Sequence, residues 1–192
     1  MSPDVRVAFG PSRAYAELVR HTDSGRLLAI RRPALVALVL ASSLGIMATG
    51  RLDASLVASL VLCWSFAPIL QLLAARLIVL STPGRPVGVA RALDLLFMGH
   101  VPWSLWLIAF AAIGAAGLTS DVPRIVAMAS APFIAVWTAA IIRAFCLEVL
   151  RTSNRGALVR TLAHQALIWT VTGVYIAVAI AAWPRLIAIA AR

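Results

Sequence analysis

The chain has 192 residues, of which 62% are hydrophobic and only 12% charged, and its seventeen basic side chains, all arginine, outnumber seven acidic ones. Soluble domains carry charge on about a quarter of their residues, so this composition excludes an ordinary soluble fold and indicates several membrane spans. The net charge of +10 does not indicate nucleic-acid binding, because the arginines punctuate apolar runs instead of gathering on one polar face. Their natural partner is an anionic membrane surface.

Residues 1–32 form the one sizeable polar segment, a leader expected on the cytoplasmic side. Pro11 and Ser12 read as a helix start with Ser12 as N-cap. Tyr15, Leu18 and Val19 follow at i, i+3 and i+4, while Arg13, Glu17 and Arg20 fall on another side. The pattern predicts a short amphipathic helix in the membrane interface, with Arg13 and Arg20 toward lipid phosphates and Tyr15 on the apolar side. His21, Thr22, Asp23, Ser24 and Gly25 end it. A polar stretch of about thirty residues before the first apolar run is too long for a signal peptide, so a retained anchor is expected.

The membrane domain, residues 33–185, is read as five spans at about 33–50, 56–80, 93–118, 125–148 and 162–183. Arg51 and Asp53 mark the first turn. The second span contains Pro68 and carries Gln71 and Arg76 toward its end. The third is entered through a basic loop with Arg85 and Arg91, and holds Asp94, Gly99, His100 and Pro102 in its first turns. Asp121, Pro123 and Arg124 open the fourth, which ends with Arg143 and Glu148. His164 and Gln165 begin the fifth, and residues 186–192 form a short extracytoplasmic tail. The expected fold class is all-α, a polytopic bundle of five transmembrane helices preceded by an interfacial helix.

Five spans place the two ends on opposite sides, and the arginines decide which. With the N-terminus inside, thirteen arginines are cytoplasmic, six of them in the leader, against four outside at positions 51, 124, 185 and 192. The expected location is the cytoplasmic (inner) membrane of a bacterium, N-terminus in and C-terminus out. Helix packing is expected at small residues: Ala127, Ala131, Ala135 and Ala139 in the fourth span, Gly173, Ala177 and Ala181 in the fifth, and Ala111, Gly114 and Ala115 in the third. Pro68, Pro102 and Pro132 each remove a helix hydrogen bond and predict kinks. The six tryptophans lie too deep for a simple interfacial belt and read as packing residues.

This topology brings the polar groups of the spans to the cytoplasmic side. Arg76, Asp94, His100, Arg143, Glu148 and His164, with Pro102 beside them, are the candidate pocket. Asp94 is expected to pair with Arg91 one turn away or with Arg76 across the loop, and Glu148 with Arg151 or Thr152. Two readings stay open: a polar cavity for a headgroup or partner, and helix-end arginines reaching to the interface with local counter-ions. His100 and His164 raise bis-histidine haem, but they stand at unequal depths, about seven and three residues into their spans, a mismatch of roughly 6 Å at 1.5 Å per residue. No cofactor is therefore expected. Cys63 and Cys146 make neither a disulfide framework nor a zinc site. No H-E-x-x-H or G-x-S-x-G motif occurs, and the carboxylates are scattered, so no catalytic residue is assigned. A transporter would show two related halves, which are not visible here, although the three prolines fit broken helices.

Three features are similar to bacterial members of the Ypt-interacting protein (Yip) family. Pro11, Ser12, Arg13, Ala14 and Tyr15 resemble its proline–aromatic leader helix, and Gly84, Arg85, Pro86, Val87 and Gly88 its glycine-containing loop before the third span. Gly99, His100, Val101 and Pro102 resemble its glycine–aromatic–x–x–proline sequence, with histidine for the aromatic and the proline one residue sooner. The resemblance implies a five-span fold and a non-enzymatic role. The expected function is a membrane scaffold or partner- or lipid-binding subunit acting through a basic cytoplasmic face. Anionic lipids and a protein partner or second copy are the expected partners. The alternatives are a small transporter or lipid-handling protein and, further off, a haem-binding subunit.

Overall fold

The computed structural model describes residues 1–20, 26–117 and 121–190, and every regular element among them is a helix. The expected break at residues 21–25 and the end of the third span at Leu118 lie outside the described residues, as do the side chains of Asp121, Pro123, Arg124, Ala127, Trp183, Arg185 and Arg192. Two short helices, α1 (Pro3–Phe9) and α2 (Pro11–Leu18), come first. Proline begins both, where its fixed φ is already helical and its missing N–H costs nothing. The N-cap of α2 is therefore Gly10, not the expected Ser12, and the Ser2 hydroxyl caps the unforeseen α1 by accepting from the Val5 amide.

The remaining helices are α3 (Arg26–Thr49), α4 (Ala54–Trp64), α5 (Phe66–Leu80), α6 (Val89–Met98), α7 (Val101–Ala115), α8 (Asp121–Glu148) and α9 (Asn154–Ala190). They supply five stretches long and apolar enough to cross a membrane: Ile30–Thr49, Ala54–Leu80, Val89–Ala115, Met128–Glu148 and Asn154–Ala182. Their outward surface is apolar, with Leu62, Phe133 and Ile180 each at least 70% exposed, as suits contact with lipid. Three boundaries move. Helix α3 starts before Pro33 and runs through it, α9 starts at Asn154, eight residues before the expected span, and its backbone stays helical through the expected tail to Ala190.

The prolines act as their chemistry requires, in two different ways. Pro68 cannot donate to Trp64 and Pro102 cannot donate to Met98, and the second and third spans each divide at that place, into α4 with α5 and α6 with α7. At the second break the Gly99 and His100 amides tighten onto the Leu96 and Phe97 carbonyls, at 3.0 and 3.2 Å. Helix α8 instead continues through Pro132.

Close packing uses some of the expected small residues. A methyl group on Gly114 would stand 2.5 Å from the Met47 Cα, so α3 and α7 touch backbone to backbone there. Ala131, Ala135 and Ala139 are half-buried. The stripe in the fifth span is a correction: Gly173, Ala177 and Ala181 are exposed, and nothing lies within 4 Å of a methyl group placed on Gly173. The turn of α9 explains this, because Ala157, Thr161 and His164 set its buried side, and Gly173 falls on another.

Candidate functional site

The leader packs onto the bundle. Tyr15 and Val7 have no exposed surface, and Tyr15 meets Phe145 of α8 edge to face with ring centres 5.8 Å apart. Thus the apolar side expected to meet lipid meets protein at Tyr15, while Arg13 is 90% exposed, pairing with Glu17, and Arg20 is exposed. Each tie uses a carbonyl that a helix end leaves free. Trp137 Nε1 donates to the Ala8 carbonyl at the end of α1, and Arg91 Nη2 to the Leu18 carbonyl at the end of α2, both at 2.9 Å. The Tyr15 hydroxyl donates to the Leu95 carbonyl at 3.2 Å. That carbonyl lacks its usual helical partner because the Gly99 amide has turned to Leu96. Burial raises the pKa of the Tyr15 phenol far above its ordinary value of 10, so the hydroxyl keeps its proton.

Asp94 lies behind the leader, 1% exposed, between two guanidinium groups. Arg91 Nη1 stands 3.1 Å from Oδ2, the i, i+3 partner expected, and Arg32 Nε of α3 stands 2.6 Å from Oδ1. Arg32 also pairs with Asp4 of α1, which closes a set of two carboxylates and two arginines. Arg76 is not among them: Ala74, Ala75, Ile78 and Val79 form the buried side of α5, and Arg76 faces outward. Asp94 therefore fastens α6, α3 and the leader together instead of lining an open pocket.

The histidines have a separate location. His100 and His164 border a cavity of about 200 Å³ to which all five spans contribute, with Gln71, Trp103, Thr138 and Trp169 also on its wall. The expected depth mismatch disappears, because His100 lies eleven residues beyond Val89 and His164 ten beyond Asn154. Both histidines and Thr138 are 6% exposed. Five polar atoms on this wall have no hydrogen-bond partner among the described residues: Gln71 Oε1, His100 Nδ1, Thr138 Oγ1, and both ring nitrogens of His164. An unmet buried polar atom costs about 1–3 kcal/mol, so each of these atoms is stabilised by a partner, whether water or a bound molecule.

Four indoles and several aliphatic side chains build the rest of the wall. Trp103 lies 5.7 Å from Trp169 between ring centres and 5.6 Å from Trp106. The Trp106 and Trp169 N–H groups are engaged by Ser130 and Gln165, each at 2.9 Å. Trp169 is the one exposed residue of the lining, at 44%. Among the described residues no cluster of three or more His, Cys, Asp or Glu stands ready for a metal ion. For scale, an engineered cavity of about 150 Å³ holds one benzene.

The expected pocket thus divides. Asp94 belongs to the ion cluster, His100 and His164 to the cavity, and Pro102 is buried at the break that positions His100. Arg143 is exposed and donates to Asn154 Oδ1 at 3.3 Å. Glu148 is half-buried and makes no ion pair among the described residues, with Arg151 or otherwise. Arg32 and Thr138 were missed. Nothing local marks Arg32 as the partner of a residue 62 positions away, whereas Thr138, a hydroxyl within an apolar run, carried a readable signal.

Comparison of the chain with protein-family profiles, curated proteins and solved structures gives no match.

Proposed function

We propose that this chain is a non-catalytic integral membrane protein that holds a small amphiphilic molecule inside its bundle. The observation that carries the reading is the cavity lined by Gln71, His100, Thr138 and His164, whose side chains hold five unpartnered polar atoms. Its place is the inner membrane, N-terminus in and C-terminus out, with Arg13, Arg20, Arg76 and Arg143 facing the anionic cytoplasmic leaflet; the bias of thirteen arginines to four supports this. The likeness to the Yip family, at Pro11 to Tyr15, Gly84 to Gly88 and Gly99 to Pro102, agrees with a binding or scaffolding role that engages a protein partner or second copy. The test is native mass spectrometry of protein gently extracted from its own membrane. The wild type should retain a small molecule that Ala67→Phe and Thr172→Phe lose, since both half-buried positions line the cavity and a larger side chain fills it. Equal, empty spectra for all three would sink the reading.

A transporter is the second reading, favoured by the divided second and third spans at Ser65 and at Gly99 with His100, both next to the cavity. Flux of the retained molecule across vesicles, altered by Pro102→Ala, would support it; binding without flux would dismiss it.

A further inference from the structure

The geometry points to the class of molecule in the cavity: a neutral single ring bearing hydrogen-bonding oxygens, of the quinone–quinol kind, with an apolar tail leaving past Trp169. The inference rests on the binding role proposed above and makes it specific. Size comes first. A cavity of about 150 Å³ accepts benzene, so about 200 Å³ accepts one ring with a few substituents and no second fused system of comparable size.

Charge comes second. No Arg, Asp or Glu lines the cavity, and Asp94 is committed to Arg32 and Arg91 outside it. With His100 and His164 neutral, a phosphate or ammonium head would be buried there without a counter-ion, at a cost of several kcal/mol. The head is neutral.

Hydrogen bonding comes third. A neutral imidazole offers one donor and one acceptor whichever tautomer it adopts, and both ring nitrogens of the lining residue His164 are unpartnered. Thr138 adds a hydroxyl that does either, and Gln71 Oε1 adds an acceptor. A ring carbonyl is met by the His164 or Thr138 donor, and a ring hydroxyl by Gln71 Oε1 or the acceptor nitrogen of His164. The same wall therefore satisfies oxidised and reduced forms of one ring, while a purely apolar lipid chain would leave all five atoms unpaired. The indoles of Trp103 and Trp169, tilted 56° to each other, line the void and offer aromatic contact to a ring. Trp169 is the exposed residue of the lining, and a tail that passes it enters lipid.

The experiment titrates decylubiquinone, a short-tailed benzoquinone, into the full-length protein in detergent and reads indole fluorescence, which a quinone quenches on contact. The expected result is saturable quenching whose apparent Kd rises about tenfold in Thr138→Val and in His164→Leu, the value of roughly one lost hydrogen bond to a buried partner. Thr138→Val preserves shape and serves if the histidine variant does not fold. Linear quenching, equal in wild type and both variants, reports partition into the micelle and overturns the inference. If quenching is linear while Thr172→Phe still displaces a different retained molecule, the ring assignment fails and the cavity's binding role survives. If quenching is linear and nothing is displaced, the cavity holds only water and both fail.

Discussion

The Tyr15 hydroxyl donates to the carbonyl of Leu95, eighty residues further along the chain, at 3.2 Å. This contact joins a leader helix to the place where the third span breaks, and the break itself frees the carbonyl. Tyr15→Phe removes one buried hydrogen bond and keeps the ring against Phe145, so it should lower unfolding stability by about 1 kcal/mol. The unfolded phenol ionises near its ordinary value of 10, below the folded one. Stability should therefore fall as pH rises above 10, because the unfolded chain releases its proton first. Unfolding curves across that range, run on wild type and Tyr15→Phe, should show the variant lacking this part of the decline.

Asp94 is held by Arg91 and Arg32, with Asp4 completing the set. Asp94→Asn leaves two guanidinium groups with lost compensation, at a cost of about 3–5 kcal/mol. Limited proteolysis should then cut the leader faster, since Arg32 and Arg91 are also its anchors. Arg76→Ala, at an exposed site, should stay within about 0.5 kcal/mol of wild type.

Gly114 allows the α3 and α7 backbones to meet, and Gly173 faces away from the bundle. Gly114→Ala forces a methyl group into Met47 and should cost about 1–3 kcal/mol. Gly173→Ala should be neutral or slightly stabilising, because alanine is the better helix former by about 1 kcal/mol. Thermal unfolding of the two variants in the same detergent separates them.

His164 carries two unpartnered ring nitrogens in a buried wall. With the cavity empty, His164→Leu removes an unmet polar group and should leave stability unchanged or raise it by about 1 kcal/mol. With the cavity occupied the order reverses, because wild type binds the molecule about tenfold more tightly and gains more from it. Melting temperatures of delipidated and gently extracted protein, compared for both chains, should cross in this way.

Much of the architecture was legible in the residues alone. Lipid offers no hydrogen bonds to a backbone, so apolar runs of this length become helices, and their number and order follow from composition and length. Pro68 and Pro102 announced their breaks for an equally local reason, the missing N–H, and Arg91 beside Asp94 followed from i, i+3 spacing. The tertiary structure decided everything that depends on how helices turn relative to one another. It selected Arg32 over Arg76 for Asp94, turned the small stripe of α9 outward, laid Tyr15 against protein, and brought His100 and His164 to one cavity by starting α9 at Asn154. Rotation about a helix axis depends on contacts summed over several distant segments, and no single stretch of sequence contains that sum.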